Sequence, residues 1–165
     1  KEKNAPLCVE HEGCEADDVV YAVTQFFPED RVTVVSSDSD FLQLPESVRL
    51  FCPRKRNFYA RNEKPAFDLF IKCFRGDTAD NIPSAYPRIT SKKLRKAFDD
   101  VALKERLWNT VLKEDPVKVQ FDTNQQLIDL SCLPQSLLDA LQAKLKALAE
   151  ANNIEPTQGV IVRHA

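Results

Sequence analysis

With 165 residues and a formal charge of −2, the chain has the length for one domain, or one domain and an appendage, with a core of its own. Apolar residues make up 43% and charged residues 29%, as in soluble globular proteins, and no apolar run approaches the roughly 20 residues that cross a bilayer, so no membrane-spanning helix is expected. The five cysteines (Cys8, Cys14, Cys52, Cys73, Cys132) are widely spaced, form no C-x-x-C pair and accompany only two histidines, which speaks against a zinc site or disulfide framework. Nothing at the start reads as a signal peptide, since Lys1-Glu2-Lys3-Asn4 leads into a strand-like segment; an intracellular, cytoplasmic location is expected.

Residues 5–10 read as a short strand that ends in a turn at Gly13. Over residues 15–27, apolar side chains recur at Ala16, Val19, Val20, Val23, Phe26 and Phe27, the spacing of a helix with one buried face, and Pro28 stops it. Residues 31–36 (RVTVVS) are β-branched and nearly all apolar, as in a central parallel strand buried on both faces. Residues 41–44 suit a helical turn closed by Pro45, and residues 48–52 suit the next strand. Residues 54–61 are basic with Phe58 and Tyr59 interleaved, either an edge hairpin or a loop. Residues 66–74 (AFDLFIKCF) suit a compact helix. After Pro83 and Pro87 the composition turns helical, with segments at 91–98, 103–112 and, after a break at Pro134, 136–151. Trp108 shares a helical face with Leu103, Leu107, Val111 and Leu112 and is expected in the core, not on a base-stacking surface. Residues 159–163 (GVIVR) close the chain as a strand or a tail.

Three short stretches concentrate the acids. Gly13-Cys14-Glu15-Ala16-Asp17-Asp18 opens the first helix, Ser37-Asp38-Ser39-Asp40 follows the first central strand, and Gly76-Asp77-Thr78-Ala79-Asp80-Asn81 follows residues 66–74. Their carboxylates, Glu15, Asp17, Asp18, Asp38, Asp40, Asp77 and Asp80, repel one another unless positive charge sits among them, and carboxylate oxygens suit Mg²⁺ or Mn²⁺. Each stretch alone has an ordinary explanation, a helix cap or a turn. All three, however, fall where a strand or helix ends, the usual place of an α/β active site. Elsewhere Arg54-Lys55-Arg56 and the set Arg88, Lys92, Lys93, Arg95 and Lys96 are basic. Such a division suits a protein that binds a polyanion while holding cations in an acid-lined site, although a basic helix face is also simply well solvated.

Taken in series, three motifs resemble the 5′ nuclease superfamily: Glu-Ala-Asp-Asp opening a helix, Val-Ser-Ser-Asp-x-Asp-Phe-x-Gln-Leu after a strand, and Arg-Gly-Asp-x-x-Asp-Asn-Ile-Pro before a helical module. That superfamily includes flap endonucleases, the 5′-exonuclease domain of bacterial DNA polymerase I and the ribonuclease H of T-even phages. The resemblance spans residues 13–98. It extends more loosely to Leu127-Ile128-Asp129-Leu130 and Leu133-Pro134, which are similar to the phage members. It implies an α/β fold of the PIN-like or resolvase-like kind over residues 1–83, with a mostly parallel sheet and flanking helices, incomplete at its N-terminus. Residues 84–165 would form a helical, helix-hairpin-helix type DNA-binding region and C-terminal helices.

The implied activity is a Mg²⁺-dependent, structure-specific 5′ nuclease, a 5′–3′ exonuclease or flap endonuclease that removes RNA primers or flaps in DNA replication by two-metal-ion hydrolysis. Carried over residue by residue, Glu15 and Asp17 would be ligands of a first ion, with Asp18 a ligand or outer-shell acid. Asp38, Asp40 and Asp77 would be ligands of a second ion, with Asp80 acting through water, while Asn81 and Pro83 shape the turn. Lys92, Lys93, Arg95 and Lys96, with Arg88, would contact duplex phosphates, and Ser91 would donate from a helix start. The implied substrates are DNA with a 5′ flap or an RNA–DNA primer duplex, in the company of replication proteins.

The chain departs from the family pattern at two places. Where members often carry a Gly-x-Gly turn that holds a monovalent cation, this chain has Ser84-Ala85-Tyr86-Pro87-Arg88-Ile89-Thr90, so K⁺ is not expected. The family's first strand, two upstream aspartates and basic helical arch would precede residue 1. The missing N-terminal segment of the same nuclease domain is therefore an expected partner, and the chain alone is expected to bind metal weakly and cleave poorly. Two other readings stay open: a non-catalytic duplex DNA-binding module derived from this fold, against which the intact acids speak, and a PIN-type ribonuclease, against which the basic helical module speaks.

Overall fold

The computed structural model describes residues 7–27, 31–60, 65–110, 115–155 and 159–164, without the side chains of Val101, Lys104, Leu107, Trp108, Thr110 and Asp115. Residues 5–6, the stop at Pro28, Arg61, residues 111–112 and the core placement of Trp108 therefore lie outside what is described. The chain forms two compact units, Lys1–Ala60 with Leu133–Ala165, and Arg61–Cys132. The compositional boundary at 83/84 falls inside the second.

The first unit is built on a four-stranded sheet in the order β3-β2-β1-β4. Its central strand β1, Val32–Val35, pairs in parallel with β2, Arg49–Cys52, and with β4, Val160–Arg163. Val32 and Val34 are fully buried on one face and Thr33 and Val35 half-buried on the other, so β-branched residues fill both sides of the strand. Parallel neighbours need a crossover of a dozen or more residues, and residues 36–48 supply one, with a 3₁₀ turn at Asp40–Gln43. The basic stretch forms an edge hairpin: β3, Asn57–Phe58, runs antiparallel to β2.

Helix α1, Ala16–Phe26, buries Val19, Val20, Ala22 and Val23 and packs on β1 and on a long helix near the C-terminus, Gln135–Ala151. That helix buries Leu141, Leu145 and Ala149 at four-residue spacing. The closing segment resolves as strand β4. Residues 7–10 correct the reading of a strand there: they join no strand among the described residues, and Leu7 and Cys8 are exposed. The central strand already has a partner on each side, which leaves a short N-terminal segment nothing to pair with in the middle of the sheet.

The second unit contains α2, Pro65–Arg75, α3, Ser91–Asp99, α4, Val101–Thr110, and α5, Asp115–Ile128; the long helix Gln135–Ala151 is thus α6. Its core joins Phe70, Cys73 and Phe74 of α2 to Ala85, Ile89, Leu94, Val117 and Phe121. Phe74 meets Phe70 at 5.1 Å and Phe121 at 4.7 Å between ring centroids, and each fully buried ring contributes about 1.5–3 kcal/mol of transfer free energy. Helix α5 escapes a sequence reading. Its buried stripe Val117, Phe121, Asn124, Ile128 carries an amide in the middle, while Val119 and Leu127 are 63% and 64% exposed and blur the period. No helix among the described residues is long and apolar enough to cross a membrane.

Candidate functional site

In the first unit the acids gather at the C-terminal end of β1 and the start of α1. Glu15 caps α1 in a capping box: its carboxylate accepts the backbone N–H three residues on, and the Asp18 carboxylate accepts the Glu15 N–H at 2.8 Å. Glu15 and Asp18 thus have a structural task, with lone pairs to spare on exposed Glu15 and half-buried Asp18. Asp17, between them, faces a histidine that sequence reasoning missed: His164 Nε2 lies 3.6 Å from Asp17 Oδ1. The other ring nitrogen, Nδ1, is 3.4 Å from the hydroxyl of buried Ser36, and the ring packs edge-on against Phe41. Ser36 Oγ in turn accepts the Asp38 N–H at 3.0 Å. One polar chain therefore runs Asp17, His164, Ser36, Asp38, linking the start of α1 to the end of β1.

Asp38 folds its own turn. Its Oδ1 accepts the Asp40 N–H at 2.9 Å, which fixes both half-buried carboxylates in one bend directly after the strand. The turn is buttressed by Tyr59 of the hairpin, whose hydroxyl donates to Ser37 O at 2.8 Å. No sequence signal marked His164, because its position depends on β4 pairing with a strand about 130 residues earlier.

In the second unit the loop after α2 displays Asp77 and Asp80. Asp77 and Ile82 exchange both backbone hydrogen bonds, at 2.9 and 2.7 Å, pinching the loop into a small hairpin. Two left-handed residues close it, Gly76 at φ +70° and Asn81 at φ +58°. Asp77 Oδ1 accepts the Ala79 N–H at 2.8 Å, and its Oδ2 is 2.7 Å from Lys72 Nζ. The Lys72 ammonium, followed by the Ala79 N–H, holds the Asp77 carboxyl below the usual carboxylate range. Lys72 also went unremarked in the sequence, although it lies one helical turn before Gly76. Asp80 is exposed at the tip.

The same unit carries the basic residues. Thr90 caps α3, its hydroxyl accepting the Lys93 N–H at 3.4 Å. Leu94 and Ala97 turn into the core, which leaves Lys92, Lys93, Arg95 and Lys96 exposed on the opposite face, with Arg88 exposed just upstream and Ser91 half-buried in the first turn. The Arg95 guanidinium lies 4.8 Å above the Phe67 ring, a cation–π contact. The geometry can do two things chemically: present oxygen-only, anionic donors at element ends, and offer a row of cations beside a helix N-terminus to a polyanion.

No protein-family model matches the chain, and no curated protein matches it. Among solved structures it is similar to the flap endonuclease of bacteriophage T5, determined as a pseudo-enzyme–product complex with DNA and metal ions. The TM-score is 0.58 at 21% identity, over 84% of this chain and 61% of that one, so the chain spans less than two thirds of its length. The mixed α/β arrangement, a four-stranded sheet with flanking helices, is therefore similar in fold to that flap endonuclease over most of the chain.

Proposed function

We propose that this chain is part of a Mg²⁺-dependent, structure-specific 5′ nuclease, a 5′–3′ exonuclease or flap endonuclease acting on DNA with a 5′ flap or on an RNA–DNA primer duplex during replication. The observation that carries this reading is the coincidence of all three acidic motifs with element ends in a 5′ nuclease-like fold. The donors fit a hard divalent cation, since they are carboxylate oxygens, and Asp77 already holds a positive charge in the form of Lys72 Nζ. Glu15, Asp17, Asp38, Asp40 and Asp77 would be the ligands, with Asp80 acting through water and Asp18 supporting the first turn. What a bound pair of cations supplies is a lower pKa for an attacking water and neutralisation of charge at the phosphate.

The chain's own residues do the remaining work. The turn of Asp38 holds that carboxylate and Asp40 in one orientation, and the Asp17–His164–Ser36 chain restrains the acid at the start of α1. Lys92, Lys93 and Lys96 bind phosphates through exposed ammonium groups, together with Arg88 and Arg95, and Ser91 donates from the start of α3. These contacts hold the backbone and read no bases. The test is cleavage, in separate samples, of 5′-flapped DNA and of an RNA-primed duplex by the chain with Mg²⁺ or Mn²⁺. Metal-dependent cleavage that leaves 5′ phosphates and disappears in Asp38→Asn is expected. Duplex binding without cleavage in both samples would replace this reading with that of a non-catalytic DNA-binding module.

A further inference from the structure

We propose that Asn124 is a positioning residue for Asp77 and Asp80: its side-chain amide ties together both ends of the loop that carries them. The proposal rests on the reading of Asp77 as a metal ligand and of Asp80 as an acid that acts on the ion through water. Asn124 lies on α5 and is fully buried, one of three buried polar residues among those described. A buried amide is retained only where its hydrogen bonds are made, and here they are. Nδ2 donates to Cys73 O at 2.9 Å and to Pro83 O at 2.8 Å, while Oδ1 accepts from Gln120 Nε2 at 2.8 Å.

The two carbonyls explain why the residue is there. In a helix that ran on, Cys73 O would accept the Asp77 N–H, but that N–H is spent on Ile82 O. Cys73 O is thus one of the orphan carbonyls of a helix C-terminus, and Asn124 supplies the missing donor. The second proton of the same amide reaches Pro83 O at the far end of the loop. Between these two anchors lie Gly76, the Asp77–Ile82 bridge and left-handed Asn81, so one rigid planar group fixes the base of the hairpin whose tip bears the acids. Gln120 in turn fixes which way the amide faces. Asn is the side chain that fits: Asp has no second donor, Gln is one methylene too long for a fully buried site, and Leu leaves both carbonyls unpaired.

The experiment is amide hydrogen exchange and Mn²⁺-induced NMR line broadening on the whole chain, as wild type, Asn124→Ala and Gln120→Ala. In Asn124→Ala, exchange at the Asp77 and Ile82 N–H groups should rise at least tenfold relative to the amides of α3. Mn²⁺ affinity read at Asp77 and Asp80 should fall by about ten- to a hundredfold, the range seen when a group orienting a metal ligand is removed. Gln120→Ala keeps both donated bonds and only frees the amide to turn; it should shift both readouts in the same direction by a few-fold. It also decides the matter if Asn124→Ala does not fold. Unchanged Mn²⁺ affinity in a folded Asn124→Ala, or in Gln120→Ala if that is the variant that folds, would reduce Asn124 to a core hydrogen bond and overturn the proposal. Absence of broadening at Asp77 and Asp80 in the wild type would instead remove the ligand reading itself, and the proposal with it.

Discussion

Gly76→Ala probes the loop that carries Asp77 and Asp80 more sharply than any change to the acids themselves. At φ +70° an added Cβ would lie 2.2 Å from Ile82 O and 2.5 Å from Pro83 O, closer than real Cβ contacts come, and both neighbours are backbone atoms that cannot rotate away. The left-handed conformation costs an alanine about 1–2 kcal/mol. Relieving the contact opens the two Asp77–Ile82 hydrogen bonds, at about 1 kcal/mol each, for a total of about 3–4 kcal/mol. Gly13→Ala is the matched control. Its φ is +78° with nothing within 4 Å of the new Cβ, so only the conformational cost of about 1–2 kcal/mol applies. Urea unfolding followed by far-UV circular dichroism should place Gly76→Ala about 2 kcal/mol below Gly13→Ala at equal slope. Equal losses in the two variants would refute the close packing of Gly76 against the 82–83 backbone.

Three further outcomes can be checked directly. Because Lys72 holds the Asp77 carboxyl low, its contribution to stability is present above the unfolded value of about 3.9 and is lost as pH falls through the folded one. Lys72→Met should raise the Asp77 midpoint in a carboxyl NMR titration and lessen the loss of stability below about pH 4; an unmoved midpoint would show that Lys72 is not its cause. Burial pushes the Cys73 thiol up to about 12, so at pH 8 a thiol reagent mapped by mass spectrometry should label exposed Cys8 and Cys132 in the native protein and reach Cys73 only in denaturant. Native labelling of Cys73 at the rate of Cys8 would contradict its place in the core. Replacing Lys92 and Lys93 together by Ala should weaken duplex binding alike for all sequences and reduce the log–log salt slope by about 2; a change confined to particular sequences would point to base reading instead.

What the sequence made legible follows from how local each signal is. Helix α1 and strand β1 are readable because their burial patterns, Val19, Val20 and Val23 in one and Val32 and Val34 in the other, repeat within a few residues. The acidic motifs are readable for the same reason, as short strings at element ends. Strand β4 was ambiguous because its partner β1 lies far away in the chain, and a four-residue run carries no sign of its pairing. With β4 went His164, whose contact with Asp17 exists only through that pairing. Helix α5 was hidden by Asn124, the residue whose polarity breaks the apolar stripe and whose hydrogen bonds fix the Asp77 loop. Spacing alone also could not divide labour among neighbouring acids: Glu15 and Asp18 complete a capping box while Asp17 turns to His164.

The most direct single measurement is a Mn²⁺ titration of the isotopically labelled chain, followed by amide line broadening in wild type and Asp38→Asn. If these carboxylates are metal ligands, broadening begins at Asp38, Asp40 and Asp77, is reversed by chelator, and needs at least about tenfold more Mn²⁺ at Asp38 and Asp40 in the variant. Broadening spread evenly over exposed acids such as Glu46 and Asp139, and indifferent to Asp38→Asn, would mean that the three motifs are caps and turns and hold no metal.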